Sequence, residues 1–269
     1  MKKKIVLPAA MLILTVWTLW GNKALEINEY RIRSDRIPVA FNGFRIAQIS
    51  DLHNTEFGED NEKLLAKLSA AQPNIIVITG DLIDSRRTDV DISLAFVRKA
   101  MEIAPVYYVN GNHESRVVEY EDLKQGLDEM GVTRLECQKA SICREGDSIT
   151  ILGLNDPSFL LDPVVFLNEM MEPADGFTVV LSHRPELFRD YAAAGVDLVF
   201  TGHAHGGQIR LPLVGGLVAP HQGYFPKYDA GAFTEGNTTM LVSRGIGNSL
   251  FPLRFNNRPE IVVAVLESR

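Results

Sequence analysis

The chain has 269 residues, 46 % of them hydrophobic and 23 % charged, a balance that supports one large packed domain and excludes extended disorder. Its formal net charge of −7 lacks the basic footprint that phosphate-backbone binding requires, so no nucleic-acid partner is expected. Two bound divalent cations would add roughly four positive charges locally, so an acidic chain can still meet a phosphorylated substrate.

The N-terminus begins with Lys2, Lys3 and Lys4, followed by an apolar run over residues 5–20 broken by Pro8, Thr15 and Thr18. Residues 1–22 are therefore expected to be a signal anchor or a cleaved signal peptide, with a buried helix as the third reading. Trp17 and Trp20 resemble interfacial residues more than a small-residue cleavage site, which favours an uncleaved transmembrane anchor. The positive-inside rule then places the remainder outside the cytoplasm, anchored to a membrane or, if the segment is cleaved, secreted.

Residues 23–43 read as a linker with an edge strand over 25–32. From residue 44 onwards short apolar runs alternate with helical spacing. Strands are expected at 44–50, 75–79 and 106–109, and helices at 62–71, 92–103 and 120–130. Residues 135–144 read as two short strands around Gln138-Lys139-Ala140, and hairpin-like strands follow at 142–153. Cys137 and Cys143 lie in that stretch, either as a cross-strand disulfide or as two free thiols. A helix at 163–172, strands at 177–182 and 198–201, and a strand-rich tail (208–213, 239–243, 260–266) complete the chain. Repeated strand-then-polar-loop units with intervening helices predict an α/β fold whose functional groups gather at the carboxyl ends of parallel strands.

Those loops carry the chemistry. Asp51-x-His53 follows the first run, Gly80-Asp81-x-x-Asp84 the second and Gly111-Asn112-His113-Glu114 the third. His183 follows the fourth, and Gly202-His203-x-His205 the fifth. Each block alone is weak, since a turn or a helix cap explains it equally well. Together they place five of the six histidines directly after strands, and only His221 lies outside the pattern, as an ordinary loop residue. Burying such a set would be costly unless metal ions satisfied it. Imidazole, carboxylate and amide oxygen suit Mn, Fe or Zn, and seven ligands suit two ions sharing a carboxylate.

The five blocks, in this order over residues 51–205, resemble the calcineurin-like metallophosphoesterase family. The stretch 202–258, with His205-Gly206-Gly207-Gln208-Ile209-Arg210 and the run from Phe251 to Pro259, resembles its membrane-anchored bacterial branch. That branch includes cell-wall-associated phosphodiesterases and relatives of UDP-2,3-diacylglucosamine pyrophosphatase. The resemblance implies a four-layer α/β/β/α sandwich over residues 44–269, in which Asp51, His53 and His205 hold one ion. Asn112, His183 and His203 hold the other, and Asp81 bridges the two. His113 is implied to approach the phosphate, oriented by Asp84, with Asn112 beside it. Two divalent ions, Mn first with Fe or Zn as alternatives, would activate a hydroxide for cleavage of a phosphodiester or pyrophosphate bond. The implied substrate is a phosphorylated small molecule, lipid or cell-wall component such as UDP-2,3-diacylglucosamine, and the protein a monomer. A phosphomonoesterase on the same centre and a non-catalytic metal-binding surface protein are the alternatives. Phe159, Leu160, Leu161, Phe225 and Phe251 form either a lipid-facing lip or ordinary core. Arg184, Arg254 and Arg258 either receive a second anionic group or make structural salt bridges.

Overall fold

A computed structural model describes residues 2–159, 162–172, 176–248 and 251–269, with backbone alone at 2–7, 9 and 10. Leu160 and Leu161 of the expected lip lie outside the described residues. The chain begins with helix α1 (Lys2–Lys23) and continues through β1 (Glu26–Ser34) and β2 (Arg45–Ile49). Then follow α2 (Glu62–Ala70), β3 (Ile75–Thr79), α3 (Val90–Met101), β4 (Val106–Val109), α4 (Tyr120–Glu129) and β5 (Thr133–Arg134). The next elements are β6 (Gln138–Arg144), β7 (Asp147–Gly153), α5 (Pro163–Met171), β8 (Thr178–Leu181), α6 (Phe188–Ala193) and β9 (Leu198–Thr201). Four two-residue strands follow: β10 (Arg210–Leu211), β11 (Gly215–Gly216), β12 (Val218–Ala219) and β13 (Gly223–Tyr224). The last are β14 (Gly231–Glu235), β15 (Thr238–Val242) and β16 (Glu260–Ser268).

Two six-stranded sheets result, ordered β1-β16-β2-β3-β4-β5 and β14-β15-β9-β8-β7-β6. Strands β2 to β5 run parallel, as do β7, β8, β9 and β15, while β16 lies parallel to β1 and antiparallel to β2. Side-chain alternation explains the stacking. In β3, Ile75 and Val77 face the second sheet, whereas Ile76 and Ile78 face helices. In β16, Val262, Ala264 and Leu266 take the inter-sheet side, and Ile261, Val263 and Val265 the helix side. Strands β8 and β9 repeat this, with Val179, Leu181, Leu198 and Phe200 inward and Val180 and Val199 outward. Helices α2, α3 and α4 cover the first sheet through Leu64, Leu68, Phe96, Val97, Leu123 and Leu127. Helices α5 and α6 cover the second through Leu167, Phe188 and Tyr191. The architecture is therefore the four-layer α/β/β/α sandwich. Each buried Leu, Ile or Phe side chain contributes about 1.5–3 kcal/mol to holding the layers together.

Most sequence-derived boundaries agree within two residues. Helix α3 starts before the expected Ile92 because Asp89 caps it, its Oδ1 accepting from Ile92 N at 3.1 Å. Two expectations fail. Residues 138–144 form one continuous strand, β6, so Cys137 stands in the turn just before it and Cys143 near its far end. The strand from Gln138 to Cys143 alone spans about 17 Å, far beyond the reach of a disulfide, and both are free thiols. The transmembrane anchor is not supported either: among the described residues no helix is long and apolar enough to cross a membrane. The run from residue 5 to residue 20 spans about 24 Å, short of a ~30 Å hydrocarbon core. The far end of α1 is fastened to the loop before β16. Asn22 donates to Arg254 O at 2.8 Å and accepts from Arg254 N at 2.7 Å, and the Arg258 guanidinium lies 5.1 Å from the centre of the Trp20 ring.

Candidate metal centre

The parallel strands of both sheets point their carboxyl ends at one edge of the sandwich, and there the polar loops meet. Asp51 and His53 leave β2, Asp81 leaves β3, Asn112 and His113 leave β4, His183 leaves β8, and His203 and His205 leave β9. Asp51, His53, Asp81, His203 and His205 all sit at positive φ, between 47° and 66°, which only a few per cent of non-glycine residues adopt. Main-chain hydrogen bonds hold the turns: Asp51 N donates to Gly80 O and His53 N to Asp81 O, both at 3.0 Å. Across the sheets, His203 N donates to both Asp51 carboxylate oxygens at 3.2 Å, and Gln48 Nε2 bridges Thr79 Oγ1 and Thr201 O.

Glu114 organises the floor of the site. Its Oε1 accepts from Leu82 N (2.7 Å) and Ile83 N (3.3 Å), and its Oε2 from Gly111 N (2.9 Å) and Asp81 N (3.0 Å). One carboxylate thus ties the loop after β3 to the loop after β4. Burial pushes this carboxyl up to about 8, helped by the neighbouring Asp81 charge and opposed by the Gly111 and Ile83 amides.

The structure brings six of the seven expected ligand residues into two groups, with Asn112 lining the adjoining cavity. In the first, His53 Nε2 lies 3.3 Å from His205 Nε2 and 3.7 Å from Asp81 Oδ2, and His205 Nε2 lies 3.3 Å from Asp51 Oδ1. In the second, His183 Nε2 lies 3.2 Å from Asp81 Oδ2 and 3.1 Å from His203 Nδ1. Asn112 Oδ1, buried at the same edge, has no hydrogen-bond partner. Asp81 is common to both groups. Donor atoms held about 2.1 Å from one ion stand roughly 3.0–3.4 Å from each other, which matches these spacings. The residues therefore fit a pair of divalent cations: carboxylates and imidazoles converge through lone pairs in a buried site, and an orphan amide oxygen waits beside them.

Electrostatics agree for three of the four imidazoles. Burial lowers His53, His203 and His205, leaving neutral rings with lone pairs to give. For His183 burial works against the charge, but the Asp81 carboxylate overcomes it and pushes the imidazole up to about 10. Burial likewise resists ionisation of Asp81, yet His183 and His53 hold its carboxyl well below the usual range. His183 Nδ1 faces Thr79 O at 2.7 Å, which fixes Nδ1 as the donor and turns Nε2 toward Asp81.

His113 lines the cavity above the centre, its ring 4.5 Å from that of His53. Ser85 N donates to His113 Nδ1 at 2.9 Å, so in the neutral ring Nε2 carries the proton. Asp84 was expected to orient this ring; its Oδ1 lies 3.8 Å from Nδ1, beyond hydrogen-bond reach, and accepts from Arg86 N at 2.8 Å. The Ser85 backbone, one residue on, makes an orienting contact, with Ser85 Oγ 3.1 Å from the same nitrogen. The cavity has a volume of about 470 Å³, and among its lining residues are Arg86, Arg116, His221, Ile209 and Phe251. Phe225 is exposed, and Phe159 packs 5.5 Å from the Tyr120 ring rather than at the cavity.

The expected arginines serve the scaffold. Arg184 is buried in a two-pronged pair with Asp156, Arg254 donates to main-chain carbonyls that include Gly247 O, and Arg258 pairs with Glu26 at 2.9 Å. Arg86 and Arg116 are the cations that line the cavity instead. Sequence reasoning also missed His221 and Asp156. His221 Nδ1 lies 2.8 Å from His203 Nε2, although nothing in Pro220-His221-Gln222-Gly223 marks it.

Comparison with known proteins agrees with this geometry. The family model described as calcineurin-like phosphoesterase matches residues 44–207. The metallophosphoesterase YkuE of Bacillus subtilis (strain 168) is 32 % identical over 251 residues, covering 91 % of this chain and 86 % of its own. Phosphodiesterase YaeI of Escherichia coli (strain K12) is 28 % identical over 237 residues, covering 83 % and 82 %. Among solved structures, TT1561 of Thermus thermophilus superposes with a TM-score of 0.52 at 13 % identity, over 76 % of this chain and 90 % of that one, a likeness of fold alone.

Proposed function

This chain belongs to the calcineurin-like phosphoesterase family and is a hydrolase of phosphoester bonds, and from that premise we propose that it cleaves phosphodiester or pyrophosphate linkages at a dinuclear centre. The observation that carries the reading is the sharing of Asp81 between two buried ligand groups at the base of the cavity. Asp51, His53 and His205 would hold one ion, Asn112, His183 and His203 the other, and Asp81 both. When bound, such a pair clamps phosphoryl oxygens and supplies an activated water near neutral pH. His113, with its proton on Nε2, donates to a phosphoryl or leaving-group oxygen and offsets charge that develops there. Asp84, 3.8 Å from the ring, would steady it when charged and also supports that loop by accepting from Arg86 N.

Preference for a diester or anhydride over a monoester is supported by the cavity, which offers Arg86 and Arg116 for a second anionic group. Ile209, Val218 and Phe251 add an apolar wall that suits a lipid-linked or cell-envelope substrate such as UDP-2,3-diacylglucosamine. Mn is the metal we favour, with Fe and Zn sharing the same ligand preferences. Placement outside the cytoplasm is also our reading, with residues 1–22 as a cleaved signal peptide rather than a spanning anchor, supported by Lys2, Lys3 and Lys4 ahead of the apolar run. Alkaline phosphatase fused after Arg269 should be active in cells if that placement holds and inactive if it does not. For the reaction, hydrolysis of bis-p-nitrophenyl phosphate with Mn²⁺ should be lost in Asp81→Ala, and activity unchanged by that substitution would sink the two-ion reading.

A further inference from the structure

Arg184, Glu186, His203 and His221 form a second polar cluster beside the centre. Glu186, His203 and His221 converge closely enough to suggest a third cation site. That position is already filled: Arg184 Nη1 lies 2.6 Å from His221 Nδ1, 3.0 Å from His203 Nε2 and 3.4 Å from Glu186 Oε1. The guanidinium is itself held by Asp156 and by Ser158 Oγ at 3.1 Å. A fixed cation there leaves no place for a metal and gives the cluster another task.

The task follows from proton placement on His203. Its Nδ1 points toward His183 Nε2, 3.1 Å away, where the second ion would sit. To bind an ion there Nδ1 must be bare, so the ring proton must reside on Nε2. A buried N–H needs an acceptor, and Arg184 can only donate. His221 Nδ1, 2.8 Å from His203 Nε2, is the acceptor within reach, and its one lone pair is shared between that N–H and the Arg184 N–H. We propose that His221 is a positioning residue that takes the Nε2–H hydrogen bond of His203 and so locks that ligand with its Nδ1 lone pair on the second ion.

The loop is built to deliver this contact. His221 sits at the tip of the β12–β13 hairpin, where Val218 pairs with Tyr224 and Ala219 with Gly223. Its neighbour Gln222 is pinned from both ends of its amide, donating to Tyr228 O and accepting from Tyr228 N at 2.9 Å each. At the base of the hairpin Leu217 N donates to Gly207 O (3.1 Å) and Ile209 O (2.8 Å), tying it to the loop that carries His203 and His205. The ring is exposed on the cavity side, and its centre lies 5.0 Å from that of His203.

The inference rests on the two-ion reading, and calorimetric titration of the metal-free full chain with Mn²⁺ separates the two. Wild type should bind two ions. His221→Ala and His221→Phe, the latter keeping a ring without the acceptor, should weaken the second ion about 10–100-fold and leave the first unchanged. His221→Asn, whose Oδ1 stands near the Nδ1 position, should bring the second ion back to within about threefold of wild type, a rescue that loss of packing would not give. If wild type binds fewer than two ions, the dinuclear reading and this inference both fall. If wild type binds two and His221→Phe binds both as tightly, only the role of His221 is refuted.

Discussion

Gly111→Ala presses directly on the bridging carboxylate. A Cβ added at Gly111 would stand 2.4 Å from Asp81 Oδ1 and 2.6 Å from Asp81 N, against roughly 3.4 Å for an ordinary contact. The backbone at Gly111 is not left-handed, so alanine meets no φ penalty and the clash is the whole effect. Asp81 Oδ1 also accepts from His113 N at 2.8 Å, so the carboxylate cannot slide away without losing that bond. The shortfall forces a displacement of about 1 Å in the group shared by both ion positions. Misplacement on that scale costs on the order of 100-fold in rate, and overpacking of this kind costs about 1–3 kcal/mol of stability. The assay is bis-p-nitrophenyl phosphate turnover with saturating Mn²⁺, alongside thermal melting of the metal-free protein. Gly126→Ala on α4 is the control: its Cβ would meet the Leu94 methyls at 2.5 and 2.8 Å, the flexible end of a side chain. That variant should keep wild-type turnover, with a stability change of under about 1 kcal/mol, since helix propensity offsets the crowding. Gly111→Ala with wild-type kcat would refute the assignment of Asp81 as the bridge.

Three further outcomes follow from the same geometry. Removing divalent ions with a chelator should lower the melting temperature, because each ion held at 100 times its Kd stabilises by about 2.7 kcal/mol; an unchanged melt would mean that the ligand groups bind no ion. Glu114→Gln turns an NH₂ toward two of four backbone donors and should cost roughly 2–6 kcal/mol in urea unfolding, together with metal affinity, whereas a variant as stable as wild type would remove Glu114 from its organising role. Asp156 is held below the usual carboxylate range because the Arg184 hydrogen bonds overcome the penalty of burial. Its stabilisation is complete above its unfolded pKa near 4 and is lost as pH falls through the lower folded value. Asp156→Asn should thus be weaker than wild type by about 3–5 kcal/mol at pH 7, with the gap narrowing below pH ~4, and a gap independent of pH would contradict the pairing.

Much of the site was legible because its chemistry sits where periodicity breaks. Asp51, Asp81, Asn112, His183 and His203 each follow an apolar run directly or within a few residues, so the strands announced the loops. The two-layer alternation in Ile75, Ile76, Val77 and Ile78 is less readable, since a strand buried on both faces has no polar side to reveal its period. His221 was illegible for another reason. It lies 16 residues past His205 in an irregular loop, and only the hairpin pinned by Gln222 and Leu217 returns it to His203. Asp156 looks like a surface acid in sequence, and only its buried Arg184 partner gives it a role. The stretch at 135–144 misled because Ala140 and Lys139 resemble a turn, yet β6 pairs with β7 along all seven residues.

Strand β16 lies between β1 and β2, in the interior of the first sheet, although it is the last strand of the chain. During synthesis, β1 and β2 therefore emerge some two hundred residues before the strand that joins them. Until residues 260–268 leave the ribosome, the edges of both strands lack the partner that completes their ladder, and Asp51 at the end of β2 has no finished sheet to hold it. The order of events is thereby constrained: hydrophobic pairing among β2, β3 and β4 can start early, but closure of the sheet is a late step.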